Sequence, residues 1–256
     1  MDLGVAGRVY LLTGATRGLG HATAEVLVAD GARVVVSGRG QESVDAAVAA
    51  LEAVGGPGCA VGVAADNADP DAAERLVAAA TSAWGRLDGV LVSVGGPPAG
   101  QVTEMTDEQW LSAFDAVFLG TVRLARKVAA ELEDGGSIAF VLSSSVRQPV
   151  AGLAISNGLR PGLAMVAKSL ADELGPRGIR VNGLLPGRVA TERVAQLDAA
   201  TGDADAAKAA AVEQIPLGRY GRVEEFGRVA AFVLSPAASF VSGAMVPVDG
   251  GMSRGL

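Results

Sequence analysis

Residues 13–20 read Thr-Gly-Ala-Thr-Arg-Gly-Leu-Gly, between an apolar run and an Ala/Leu-rich amphipathic stretch. Gly14, Gly18 and Gly20 at a strand-to-helix turn let backbone amides approach an anion at the helix N-terminus, where the macrodipole favours negative charge. That spacing suits the pyrophosphate of a dinucleotide, with Thr16, Arg17 and Leu19 completing the contact set. A tight structural turn is the other reading, and the place in a first βαβ unit favours the pyrophosphate. Further on, the next apolar run ends Ser37-Gly38-Arg39. An acid there would accept hydrogen bonds from a ribose 2′-hydroxyl, and none is present. Arg39, with Arg17, could instead clamp a 2′-phosphate. The expected cofactor is therefore NADP(H) rather than NAD(H). Ordinary surface charge is the alternative for both arginines.

The rest of the composition excludes much other chemistry. There is one Cys, Cys59, and one His, His21, in 256 residues. A disulfide within the chain is impossible, no Cys/His metal site is expected, and a Ser-His-Asp triad has no spare histidine. A reducing, cytoplasmic setting fits. The net charge of −7 argues against nucleic acid as a partner. The opening MDLGVAGR lacks the pattern of a secretory signal. The longest uncharged run, Val229 to Val248, contains Pro236, Gly243 and Pro247. It therefore reads as a helix end, a loop and a strand rather than a membrane span.

These residues must be positioned by an alternation of short β-branched runs and longer amphipathic stretches. Strand candidates are Arg8–Thr13, Arg33–Ser37, Cys59–Ala65, Gly89–Val94, Ser137–Ser143, Arg180–Leu185 and Ala244–Val248. Most are apolar on both faces, as in a parallel sheet covered on both sides. Helices are expected at about 18–30, 42–54, 70–84, 107–133, 162–175 and 222–234. Leu163, Val166, Ala167, Leu170 and Leu174 recur at helical spacing and would form a buried stripe. The expected fold is α/β: a single Rossmann-type doubly wound parallel sheet of about seven strands with helices on both faces. Pro247 cannot donate to a ladder, which places the last strand at an edge.

The chain resembles the short-chain dehydrogenase/reductase family over nearly its whole length. TGATRGLG is similar to that family's T-G-x-x-x-G-x-G loop. Asp66-Asn67 matches its adenine-contacting Asp after the third strand. Leu91–Gly96, with Ser93 and Gly95, stands where the family has N-N-A-G, and only the last glycine matches. Ile179–Thr191 resembles the segment bracketing the nicotinamide, which implicates Pro186, Gly187, Val189 and Thr191. Ile215–Gly251 matches the family's C-terminal stretch.

The family's catalytic Asn, Ser, Tyr and Lys fare differently. Lys168-Ser169-Leu170-Ala171 aligns with the family's K-S-L-A, and counting back twelve residues puts the Tyr position at Ser156. The Lys position then falls on Arg160, the Asn position on Val117 and the Ser position on Ser143. In the family's reaction a Tyr protonates the substrate oxygen as a hydride reaches the carbonyl carbon, and a Ser is a poorer acid. Tyr10 and Tyr220, the two tyrosines, lie outside the expected site. Ser156 and Arg160, spaced i, i+4, could share a helix face. Arg160 could then hold the nicotinamide ribose and stabilise charge on a substrate oxygen, while Ser156 relays a proton from water. The alternative makes Ser156 a helix cap and Arg160 a structural charge. Pro161 supports it, because proline disfavours helical geometry before it and would delay the helix to about Arg160 or kink its first turn.

The resulting expectation is an NADP(H)-dependent oxidoreductase of a small carbonyl or alcohol, with Ser143, Ser156 and Arg160 as its catalytic candidates. A non-redox enzyme (isomerase, cyclase or lyase) or a non-catalytic NADP(H)-binding protein on the same scaffold is the alternative. The Ala-rich segment at about 190–214 is expected as a substrate-side lid. The resemblance also implies a homo-oligomer, a tetramer or a dimer.

Overall fold

The structure is a computed structural model and describes residues 2–255. Seven strands form it: β1 Val9–Leu12, β2 Arg33–Gly38, β3 Ala60–Ala64, β4 Gly89–Val92, β5 Ser137–Val141, β6 Arg180–Pro186 and β7 Met245–Val248. All neighbours pair in parallel, in the order β3-β2-β1-β4-β5-β6-β7. The order reverses at β1, so the crevice at the strands' C-terminal ends opens there. Pro247 sits in the edge strand β7, where its missing N–H removes no bond of an inner ladder.

Alternation along β1 shows why the strands are apolar throughout. Val9 and Leu11 enter one core, and Tyr10 and Leu12 enter the other. Helices α1 Gly18–Ala29, α2 Gln41–Gly55 and α9 Val223–Leu234 cover the Tyr10 face. The Val9 face is covered by α3 Ala72–Trp84, α5 Gly120–Glu131 and α6 Ala154–Leu174.

The expected helix at 107–133 is interrupted. It comprises α4 Asp107–Ala113, a π-helical stretch Phe114–Leu119, and α5. Val117 is buried in the π-helical stretch, and its carbonyl accepts a 2.7 Å bond from Thr121 Oγ1. Such wide turns are frequent at functional sites.

The largest departure from expectation concerns α6, which starts at Ala154 and carries Pro161 inside it. Neither a start near Arg160 nor Ser156 as the cap holds, since the N-cap is Leu153. An interior proline costs about 3 kcal/mol through one lost hydrogen bond and a clash. Burial of Ile155, Leu159 and Leu163 against the sheet, at about 1.5–3 kcal/mol per side chain, outweighs it. Asn157 adds a two-way tie to the preceding loop, accepting from Val150 N (3.0 Å) and donating to Val150 O (2.9 Å). The buried stripe is accordingly Ile155, Leu159, Leu163, Ala164 and Ala167, continued by Leu170 and Leu174 half-buried against the same core, with Val166 only half-buried. Residues 190–214 hold two helices that were not expected, α7 Glu192–Ala199 and α8 Ala204–Glu213.

Candidate active site

The glycine loop joins β1 to α1 and is fastened from both sides. Thr13 Oγ1 donates to Ser93 O and accepts from Ser93 N, both at 2.9 Å, which fixes the end of β1 to the end of β4. Ala15 N donates to Ser37 O at 3.0 Å, fixing the loop to β2. Gly14 has φ +55°, and a Cβ there would lie 2.6 Å from Ser93 O. At Gly20 a Cβ would lie 2.8 Å from Gly14 O and 2.9 Å from the Ala15 Cα. Only glycine lets the loop fold so tightly onto the start of α1.

That start is bare. Arg17 is the N-cap, makes no side-chain capping bond, and no acid lies in the first turn. Thr106, Thr191 and Asp203 cap α4, α7 and α8 with side-chain oxygens, while α2, α3 and α6 are uncapped like α1; only α1 follows the glycine loop at the switch point of the sheet. The first amides of α1 thus lack an intrahelical or side-chain acceptor, which is the arrangement an anion needs. Leu19, half-buried beside them, accepts a 2.8 Å bond from Thr23 Oγ1 on its carbonyl. Thr16 packs against Gly38, where a Cβ would lie 2.6 Å from its methyl. Arg39 is exposed beyond Gly38 and pairs with no acid among the described residues. Arg17 does pair, with Glu192 at 2.7 Å. Both side chains are largely exposed, so this bridge is worth only about 0–1 kcal/mol. Asp66 is exposed after β3, its Oδ1 accepting from Ala68 N at 3.0 Å. The carbonyl of the neighbouring Asn67 packs closely on Gly120.

Across the crevice, β5 runs into a 3₁₀ turn, Ser144–Val146. Ser143 Oγ accepts from Ser145 N at 3.1 Å and so caps that turn. The hydroxyl that faces Ser156 belongs to Ser145, at 3.4 Å, and both serines are buried. The structure therefore brings Ser145, rather than the expected Ser143, to Ser156. The triplet Ser143-Ser144-Ser145 signals a polar turn, but only the 3₁₀ geometry chooses among its members.

One turn along α6, Arg160 points inward rather than away. Its Nη1 donates to Val141 O at 2.7 Å and its Nη2 to Val94 O at 3.1 Å, at the ends of β5 and β4. It is 5% exposed, and no carboxylate pairs with it among the described residues. Burial without a counter-charge pushes its pKa down to about 10, so it stays a cation at neutral pH.

The third wall follows β6. Pro186 ends the strand, and at Gly187 a Cβ would lie 2.6 Å from Asp249 Cβ. Val189 is buried and bridges to Gly221. Thr191 Oγ1 accepts from Val194 N at 3.3 Å, and its methyl would lie 3.6 Å from a Cβ on Gly18. The sheet-side walls and the glycine loop thus face each other across Thr191. Two residues on, Arg193 Nη2 donates to Pro97 O at 2.6 Å, beyond exposed Gly95 in the loop after β4. Arg193 was not foreseen, because its partner is a backbone carbonyl 96 residues away. Further along α7, buried Asp198 accepts from Arg188 at 2.9 Å and from the Tyr220 hydroxyl at 3.1 Å. Tyr220 is thereby committed to the outer end of this segment. Tyr10 is buried in β1, where burial pushes its phenol up to about 12. Neither tyrosine reaches Ser156. His21 Nδ1 lies 3.2 Å from Ala15 O, and Cys59 is buried beneath α2.

A sheet ordered 3-2-1-4-5-6-7 with a glycine loop at its switch point is the architecture of the doubly wound dinucleotide-binding α/β folds. A family model described as Enoyl-(Acyl carrier protein) reductase matches residues 14–253. Dehydrogenase/reductase SDR family member 4 of Homo sapiens is 36% identical over 255 residues, spanning 96% of this chain and 88% of that protein. An uncharacterized oxidoreductase of Methylorubrum extorquens is 35% identical over 249 residues, covering 96% of this chain and 98% of that protein. L-sorbose reductase from Gluconobacter frateurii, solved with NADPH and L-sorbose, superposes with TM-score 0.94 at 29% identity, covering all of both chains. The chain belongs to the short-chain dehydrogenase/reductase family of oxidoreductases. Among the described residues no helix is long and apolar enough to cross a membrane.

Proposed function

We propose that the protein is an NADP(H)-dependent oxidoreductase of a small carbonyl or alcohol, with Ser156 and Arg160 standing where the family has Tyr and Lys. The bare N-terminus of α1 beneath the glycine loop carries this reading. Its amides suit a pyrophosphate, and the NADPH in the L-sorbose reductase complex supports a nicotinamide dinucleotide. Arg39, unpaired beside Thr16 and Gly38, would hold the 2′-phosphate, with Arg17 contributing when released from Glu192. Asp66 and Asn67 would flank the adenine, Ser93 and Gly95 the middle of the cofactor, and Pro186, Gly187, Val189 and Thr191 the nicotinamide.

When bound, the cofactor supplies or accepts the hydride. The chain's own residues handle the oxygen. Arg160 is a cation fixed by two carbonyls in a low-dielectric pocket, so its field reaches a developing alkoxide without reorganisation. Ser145 and Ser156 face each other at 3.4 Å and would pass a proton from water to that oxygen. Ser143 positions Ser145 through the cap of its turn. The segment carrying α7 and α8 would close over the substrate, with Asp198 anchoring it to Arg188 and Tyr220.

Calorimetry with NADPH and NADH tests the cofactor, and the expected result is binding of NADPH at least tenfold tighter, about 1.4 kcal/mol. Equal affinities would overturn the NADP(H) assignment. NADPH bound without hydride transfer to any carbonyl would favour a non-redox role on the same scaffold.

A further inference from the structure

Two guanidinium groups converge on one short loop, Val94–Pro97. Arg160 holds its first carbonyl, Val94 O, and Arg193 holds its last, Pro97 O. Arg193 Nε would lie 2.8 Å from a Cβ on Gly96, so the guanidinium rests flat against that glycine. Gly96 leaves the space, and any side chain there would push the guanidinium off. Two nearby arginines do have acid partners, Arg17 of the glycine loop with Glu192 and Arg188 of this segment with Asp198. Arg193 and Arg160 pair with no carboxylate among the described residues. Buried Arg180, also without a carboxylate partner among the described residues, is spent on the carbonyls of Val233, Leu234, Ser235 and Val241, whereas Arg193 makes a single such bond. Partly burying a cation without a counter-charge is costly, and Arg193's pKa is pushed down by that burial. One carbonyl bond does not use the planar fork of an arginine, whose matched partner is a carboxylate.

We propose that Arg193 is a specificity-determining residue that pairs with a carboxylate on the substrate, so that the enzyme takes keto acids or hydroxy acids. Arg160 adds positive potential from beneath the same loop. The inference rests on the oxidoreductase reading for the placement of substrate between α7 and the loop after β4. Thr191, two residues before Arg193, faces Gly18 of the cofactor loop, and from there the Arg193 side chain reaches past Gly96 to Pro97 O in the loop after β4.

Calorimetry on the NADP⁺-saturated protein compares pyruvate, acetoacetate and levulinate with their methyl esters. At least one acid is expected to bind tenfold or more tightly than its ester, about 1.4 kcal/mol. Arg193→Leu should bring that ratio close to one with ester binding unchanged, and Arg193→Lys should keep part of it. Gly96→Ala displaces the guanidinium without removing it and should weaken the acid alone. A ratio near one for every pair in the parent protein, or a ratio that Arg193→Leu leaves intact, would overturn the proposal. If Arg193→Leu fails to fold, the Arg193→Lys and Gly96→Ala ratios decide the matter in the same way. An acid held through Arg193 but given no hydride by NADPH would overturn the oxidoreductase reading and leave the carboxylate site standing. Esters reduced as well as acids would do the reverse.

Discussion

The two sides of the crevice are built from different materials. The β1–α1–β2 side is made chiefly of backbone: glycines, free amides, a main-chain tie from Ala15 and a Thr13 hydroxyl whose partners are the amide and carbonyl of Ser93. The β5–α6–α7 side is made of side chains: the Ser145–Ser156 pair, buried Arg160, and Arg193 reaching Pro97. A backbone cradle needs glycine where a Cβ would strike a carbonyl, so it tolerates little change. A side-chain set can be exchanged while the scaffold persists, and function follows the site rather than the fold. In this chain the nucleotide side resembles the family closely, and the proposed changes of chemistry fall on the other side.

The sharpest way to break the contrast is Gly20→Val. Its side chain would press on Gly14 O and Ala15, and NADPH binding should fall below detection by calorimetry. Binding that survives would mean the loop is not the cradle. Arg160→Ala should lower turnover by about 10²–10³ while NADPH affinity changes less, as for loss of an oxyanion donor. Intact turnover on a verified substrate would leave Arg160 a purely structural tie between β4 and β5. Ser156→Tyr with Arg160→Lys approaches the same side from the other direction. Ketone reduction should rise, and rise further when Val117→Asn is added; unchanged rates would show that these positions do not line the reacting centre. Arg39→Ala should erase a roughly tenfold preference for NADPH over NADH, about 1.4 kcal/mol, in a binding titration. Pro161→Ala is expected to act on stability rather than on chemistry. It restores an amide opposite Asn157 O inside α6 and should raise stability by about 1–2 kcal/mol in urea unfolding. A loss of stability would show that the proline is part of the packing.

Much of the nucleotide side was readable in advance because local rules govern it. Glycines at 14, 18 and 20 after a both-face apolar strand dictate the turn, and Pro247 dictates an edge. The substrate side was less readable because tertiary contacts override local preference there. Pro161 locally argues for a late helix start, yet burial of Ile155 and Leu159 carries α6 back to Ala154. Thr191 and Asp203 were available as cap signals for α7 and α8, but the Ala-rich composition around them lacks a clear apolar face. Arg193 bonds a backbone carbonyl distant in the chain, and no sequence pattern marks such a partner.

The central claim is that this altered side-chain set still serves hydride transfer. The direct test is to incubate the protein with NADPH deuterated at nicotinamide C4 and a panel of small ketones and keto acids, and to analyse the alcohols by mass spectrometry. The account predicts deuterium on the carbinol carbon of at least one product, with the yield falling about 10²–10³ in Arg160→Ala. Tight NADPH binding with no label in any product would contradict it.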